Sequence, residues 1–457
     1  MRKILGLLLA FAFSITSVSA ESLNKTLSNL GINKSAVSVS IKEVKSGNVL
    51  YELNERIPRV PASTLKILTS SIALDALGKD YAFKTQFYKS TNNDVYLKLV
   101  GDPLLTTKDL EKLMATAKDK NIEPKTLYID DTIFDKVEWG EGWQWDDALN
   151  PLMPKYSAYN INGNLMSIVV KPTQSGAVAD IVTKPFYPYS FVNTVITDVK
   201  SHNDIKFERF TAESPVFSLE AQRNMLMISG NVSSIFSKNL PVLNPSINFV
   251  LRLKEAIQGA KFQYFGSFMK ASLPKEEIYL IDEISRELPP IMNKILKTSD
   301  NLAAESLFKH AGAVWSGKQG SFENSLAMTN TYLTNLKIKA DDIKIVDGSG
   351  VSKNNLMTSD FMTDFLLYKA SEDDFETFKT YLPTPSEGTL KNRMLYFKDN
   401  LRAKTGTLSD SSAIAGYITT RRGKVYAFDI MITDAKTTPA DKKNIEEQIL
   451  RNIYLNN

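Results

Sequence analysis

Apolar and polar residues alternate through AVSVSIKEV (36–44), break at KSGN and resume in VLYEL (49–53), which predicts a β-hairpin early in the chain. The period then changes. After Pro61, residues Leu65, Leu68, Ile72, Leu74 and Leu77 recur at helical spacing until Gly78, so STLKILTSSIALDAL predicts a helix with Ser63 at its start and Lys66 one turn on. From about 81 to 285 the pattern shortens into strands and turns. DVYLKLVGDPLL predicts a strand, TKDLEKLMATAKDK an amphipathic helix and TLYIDDTIF a strand, together a βαβ-like unit. LMSIVVKP, MLMISGNV and NFVLRL are further strand candidates. From about 286 helices return, with a break at TSDN (298–301) between two of them. SDSSAIAGYITT, RRGK and VYAFDIMITD predict a second hairpin, and ADKKNIEEQILRNIYL a closing helix. The first and last hairpins are expected to share one antiparallel sheet covered by helices, with the middle of the chain inserted: an α+β, multidomain fold.

The opening MRKILGLLLAFAFSITSVSA has two basic residues, an apolar run and small residues at Val18 and Ala20. It predicts an export signal cleaved after Ala20, too short and too abruptly ended for a spanning anchor. No later stretch approaches the roughly 20 apolar residues that cross a bilayer, so no integral membrane segment is expected. Loss of the leader removes Arg2 and Lys3 and no acid, and the formal charge falls from +4 to +2, which gives no footprint for nucleic acid.

The chain has no cysteine, so neither a disulfide nor a thiol nucleophile is available. Its two histidines, His202 and His310, have no partner at H-E-x-x-H spacing, and no G-x-S-x-G elbow presents a serine to either. A hydrolase built from this chain is therefore expected to use a base other than histidine. S-x-x-K occurs five times, at Ser22, Ser63, Ser267, Ser272 and Ser306, but only Ser63 opens a long apolar helix after a proline. S-D-N stands at Ser299 to Asn301, where the plain reading is a helix N-cap. K-T-G occurs once, at Lys404 to Gly406, followed by Thr407.

The order S-x-x-K, S-D-N, K-T-G is that of penicillin-binding proteins and class A β-lactamases. The gap of 236 residues from Ser63 to Ser299, against 105 from Ser299 to Lys404, resembles the low-molecular-mass class C penicillin-binding proteins, the D-alanyl-D-alanine carboxypeptidase/endopeptidase family S13. GDPLL, YIDDTIF, DGSGVSKNNL, LPTPSEGTLKNRM and the ending RNIYLNN resemble it too, although LPTPSEGTL is a residue short and lacks a glycine usual before GTL. The resemblance implies a penicillin-binding/β-lactamase-like transpeptidase domain over 21–80 and 286–457. It also implies a two-domain insertion, expected as 81–95 with 171–285, and 96–170.

A serine hydroxyl needs a base within reach, and Lys66 can serve if a dry pocket and a second cation, Lys404, suppress its charge. By resemblance Ser63 is the nucleophile, Ser299 relays the proton and Asn301 holds the substrate amide and Lys66. Lys404 and Thr405 bind the terminal carboxylate, Gly406 lets substrate lie against the strand, and the N–H groups of Ser63 and Thr407 form the oxyanion hole. Asp147, in GWQWDDAL, matches an acidic residue that faces the free amine of the stem peptide's diamino acid; an N-cap or surface charge is the alternative reading. The tryptophans Trp139, Trp143 and Trp145 around it are read as a small-domain aromatic core. The implied partners are peptidoglycan peptides and β-lactams as covalent inhibitors, in a periplasmic setting, with no cofactor or metal and with homo-oligomers possible. A β-lactamase or esterase on this scaffold, and a non-catalytic wall-binding sensor, are the alternatives.

Overall fold

The structure, a computed structural model, describes residues 23–200, 202–209, 225–340 and 342–457, and of Trp145 and Asp146 only the backbone; the leader lies outside the described residues. β1 (Val37–Glu43) and β2 (Val49–Leu53) form the leading hairpin. Ala62–Thr64 make one 3-10 turn that feeds α1 (Leu65–Leu77), so Ser63 sits just before the helix, and Gly78 ends it at φ 86°. Residues Leu65 to Leu74 are buried on every side, including Lys66, Thr69, Ser70 and Ser71. A helix apolar or small all round belongs inside the molecule, and α1 is the central one.

The inserted segment begins with β3 (Ala82–Ser90), β4 (Val95–Lys98), α2 (Thr107–Asp119) and β5 (Leu127–Asp130). Thr106 and Asp109 form a capping box at the start of α2, and β4 pairs with β5 in parallel across that helix, the expected βαβ unit. Next come β6 (Leu165–Lys171), β7 (Asp180–Lys184), β8 (Ser190–Thr197), β9 (Asp204–Arg209), β10 (Met225–Val232) and β11 (Phe236–Pro241), then α3 (Pro245–Gly259), β12 (Phe268–Lys270) and β13 (Ile278–Glu287). NFVLRL, expected as a strand, lies within α3. Asn244 caps the helix by accepting from the Ile247 N–H, Pro245 fits its first turn, and Phe249, Leu253, Ala256 and Ile257 fall on one buried face. A six-residue segment with four apolar positions fits either period, and the cap decides it.

Strand pairing also divides the insertion differently from the expected ranges. One sheet runs β12-β5-β4-β3-β13, so a boundary at 95/96 would cut the β3–β4 pairing; β8-β10-β9 and β11-β6-β7 form two separate sheets over one core that includes Val170, Leu226, Ile228 and Leu240. Residues 165–241 are thus nested within the fold of 82–130 and 268–287. The cause is local: the short turn after Ser90 keeps β4 beside β3, whose other edge takes β13.

β13 runs directly into α4 (Leu288–Thr298), then α5 (Asn301–Ser316), α6 (Phe322–Asn335), α7 (Ser359–Ala370) and α8 (Phe375–Tyr381). β14 (Leu401–Thr407), β15 (Ser411–Thr419), β16 (Val425–Thr433) and α9 (Pro439–Asn456) close the chain. The two hairpins join as expected in an antiparallel sheet of order β14-β15-β16-β1-β2, with Val37 opposite Ile432 and Glu43 opposite Tyr426. On one face α1, α4, α5 and α7 pack over Ala415, Tyr417 and Ala427. On the other, α9 and the helical segment 23–29 cover Val39, Ile41, Phe428 and Ile430. Both faces of the sheet are therefore apolar, and β14 is left as the edge strand beside the start of α1. Among the described residues no helix is long and apolar enough to cross a membrane.

Candidate active site

The turn that carries Ser63 and the edge strand are held in close contact. Ala62 takes a left-handed φ of 47°, a conformation that costs a non-glycine residue about 1–3 kcal/mol and turns the chain sharply just before Ser63. Gly406 on β14 packs against this turn: a Cβ there would lie 2.9 Å from the Pro61 carbonyl oxygen and from the Ser63 nitrogen. The missing side chain lets the strand backbone approach the serine, and Thr407 follows at the exposed end of β14.

Lys66 is fully buried and its Nζ donates to three oxygens: Ser63 Oγ at 2.9 Å, Asn301 Oδ1 at 2.6 Å and the Ser349 carbonyl at 2.6 Å. Burial pushes its ammonium down to about 8, against the pull of Asp347, Glu305 and Asp300, whose charges favour the protonated form. Lys404 is also fully buried, donating to Ser299 Oγ at 2.9 Å and to the Thr405 carbonyl at 2.6 Å. Burial first, then the charge on Lys66, holds it well below the usual lysine range. The expected second-cation effect therefore acts chiefly on Lys404, which carries less charge to share because it is itself desolvated. Burial is what lowers Lys66.

Ser299 caps α4 in a left-handed conformation, φ 62°, which turns its hydroxyl to Lys404. The expected N-cap falls on Asp300, whose carboxylate accepts from the Ala303 N–H at 2.8 Å. Asn301, first residue of α5, also donates from Nδ2 to the Leu152 carbonyl at 2.7 Å, tying the inserted segment to the helix pair. Thr405 Oγ1 donates to Thr389 Oγ1 at 2.8 Å.

These residues open onto a cleft of about 1080 Å³ between the sheet edge and the insertion. Ser63, Ser299, Asn301, Thr405 and Thr407 line it, and Asp147, in a short 3-10 turn over Trp145–Leu149, lines the far wall with Trp143. Trp143 is not the core of a separate small domain. Its ring packs with Met153, Tyr156 and Leu302 where the insertion meets α5, and its Nε1 donates to Asp347 Oδ2 at 2.9 Å. Trp139 packs edge-on against it, and the Trp145 side chain lies outside the described residues.

Two buried acids beneath the site were not singled out in the sequence. Asp347 receives the N–H groups of Gly350 and Ser352, each at 2.7 Å, and Asn355 Nδ2 at 2.8 Å. Glu305, on α5, receives those of Gly348 and Ser349. Together they hold the DGSG loop against Lys66; the DGSGVSKNNL stretch pointed to Asp347, and nothing in the sequence pointed to Glu305. Among the described residues no group of histidines and carboxylates is placed to hold a metal ion.

An antiparallel sheet between helical layers, with a serine and lysine at the start of the central helix and a lysine on the edge strand, is the architecture of the penicillin-binding and β-lactamase-like proteins. The model of the D-Ala-D-Ala carboxypeptidase 3 (S13) family matches residues 19–453, and the chain belongs to that family. It is 25% identical over 441 residues to a D-alanyl-D-alanine carboxypeptidase of Actinomadura sp. (strain R39), covering 90% of this chain and 80% of that one. It is 24% identical over 444 residues to the D-alanyl-D-alanine carboxypeptidase DacB of Haemophilus influenzae, covering 92% and 90%. The crystal structure of penicillin binding protein 4 from that organism superposes with a TM-score of 0.78 at 23% identity, over 92% of this chain and 95% of that one. A second crystal structure of that protein, complexed with a β-lactam, superposes with a TM-score of 0.74 at 21% identity, covering 92% and 96%.

Proposed function

We propose that this chain is a serine DD-peptidase that hydrolyses the D-alanyl-D-alanine end of peptidoglycan stem peptides, and the D-alanyl cross-links between them, through an acyl-enzyme on Ser63. The observation that carries the reading is the fully buried Lys66 amine, held 2.9 Å from the Oγ of Ser63, which lines the cleft. Neutral Lys66 takes the serine proton as Oγ attacks the carbonyl carbon. The N–H groups of Ser63 and Thr407 stabilise the oxyanion, a contribution of about 3 kcal/mol for one such donor. The proton that Lys66 took passes by way of the Ser299 hydroxyl to the departing amine, which returns Lys66 to the neutral form; water, losing its proton to Lys66, then hydrolyses the ester, and that proton returns to Ser63 Oγ. A substrate carboxylate beside Lys404 and Thr405 restores the charge that burial suppresses, so this subsite is paired only when filled. In a β-lactam the leaving amine stays tethered to the acyl group, and the ester persists.

The leader supports export, with action on the wall outside the cytoplasmic membrane. Incubation with muropeptides tests the function: release of D-alanine and conversion of cross-linked dimers to monomers are expected. Binding without release would favour a sensor, and rapid penicillin turnover a β-lactamase.

Because the reaction needs Lys66 neutral and its amine is held at about 8, the acylation constant for benzylpenicillin should level off above that pH and fall about tenfold per pH unit below it. A rate flat from pH 5 to 9 would contradict Lys66 as the base. We assign Asp147 to the free amine of the diamino acid, on the strength of its place on the cleft wall. Asp147→Asn should lower kcat/KM about 10-fold or more on a stem peptide with that amine free, the value of one charge-assisted hydrogen bond, and leave an N-acetylated peptide unaffected. Equal losses on both peptides would return Asp147 to a structural role.

A further inference from the structure

Glu305 stands one turn along α5 from Asn301 and is 2% exposed. Its carboxylate oxygens accept the Gly348 N–H at 3.0 Å and the Ser349 N–H at 2.8 Å. The Ser349 carbonyl in turn receives Lys66 Nζ, and the Gly348 carbonyl receives Thr69 Oγ1 at 2.8 Å from α1. α5 therefore reaches the base twice, directly through Asn301 Oδ1 and indirectly through Glu305 and the 347–350 loop. No step of the proposed reaction uses Glu305, although a buried carboxylate is costly to desolvate.

We propose that Glu305 is a positioning residue for the base: by gripping the Gly348 and Ser349 amides it fixes the Ser349 carbonyl against Lys66 and aims Nζ at Ser63. The inference rests on the acyl-enzyme reading above. The charge of the carboxylate has a second effect. Lys66 faces it from α1, Asp347 from the loop and Tyr156 from the insertion. Lys309, further along α5, is paired with Asp135 at 2.5 Å, and Glu323 at the start of α6 lines the same cavity of about 210 Å³ behind Glu305. Burial, then the Asp347 charge, holds Glu305 above the usual carboxylate range, and when ionised it favours the ammonium form of Lys66.

Glu305→Gln removes the charge and one of the two acceptors, whereas Glu305→Asp keeps both but shortens the reach. The test is the acylation rate with a fluorescent penicillin between pH 5 and 9, expressed per acylatable site so that unfolded protein does not count. The Gln variant should fall about tenfold or more on the plateau, and its acid limb should move down by about half a pH unit or more because Lys66 loses a stabilising negative charge. The Asp variant should be slower than wild type with its limb unmoved. A Gln variant with the wild-type rate, or a slower one whose limb stays in place as a purely structural role requires, overturns the proposal. If the Gln chain does not fold, the Asp variant decides: a wild-type plateau in it is contrary to the proposal. Wild type that fails to acylate at all would count against the acyl-enzyme reading instead.

Discussion

Replacing Lys66 with glutamine is expected to slow acylation of Ser63 by benzylpenicillin about 10²–10⁴-fold, the usual contribution of a general base. Glutamine keeps a donor for the Ser349 carbonyl or Asn301 Oδ1 and introduces no buried charge, so the helix should remain folded. What it cannot do is accept the serine proton. The residual rate should also lose the acid limb near pH 8, since the titrating group is gone. Stopped-flow acylation of both proteins across pH checks this, and a variant within threefold of wild type would remove Lys66 from the reaction.

The second large effect is expected at Gly350, which lies outside the S-x-x-K, S-D-N and K-T-G motifs. It adopts φ 76°, and a Cβ there would stand 2.0 Å from the carbonyl oxygen of Ala62, the residue before Ser63. Gly350→Ala therefore combines a left-handed alanine with a collision against backbone, and should destabilise the fold by about 2 kcal/mol or more. The turn carrying Ser63 must give way, and a displacement of about 1 Å in a reacting group can cost about 10²-fold in rate. Gly47→Ala is the control: its φ is 70° with open space around it, so it bears the strain alone, about 1 kcal/mol, and acylates normally. Urea midpoints and acylation rates distinguish the two sites. Equal behaviour of the two variants would show that the Gly350 contact is unimportant.

The elements legible in the sequence are those whose pattern is local. Two hairpins with period 2, the apolar run after Pro61 and the break at TSDN each carry their own boundaries, and the structure has them at β1–β2, β15–β16, α1 and the α4–α5 junction. Partnership over distance was less legible. That β3 pairs with both β4 and β13, nesting 165–241 inside the insertion, depends on which edges are free after folding. NFVLRL was ambiguous because six residues, four of them apolar, fit a strand as well as α3. Glu305 was invisible for a different reason: in AAES it reads as one charge on an apolar helix, and its meaning comes from amides 43 and 44 residues away. Trp143 likewise looked like core until Asp347, 204 residues on, supplied an acceptor for its N–H. The second-cation reading of Lys404 overlooked that a lysine buried completely suppresses its own charge first.

The account's central claim is that Ser63 forms a covalent acyl-enzyme. Intact-mass spectrometry of the mature protein after incubation with benzylpenicillin, beside Ser63→Ala, tests it most directly. A single stable penicilloyl adduct on wild type, mapped to the peptide holding Ser63 and absent from the variant, is the predicted result. No adduct with penicillin left intact, or an adduct that persists in Ser63→Ala, would contradict it.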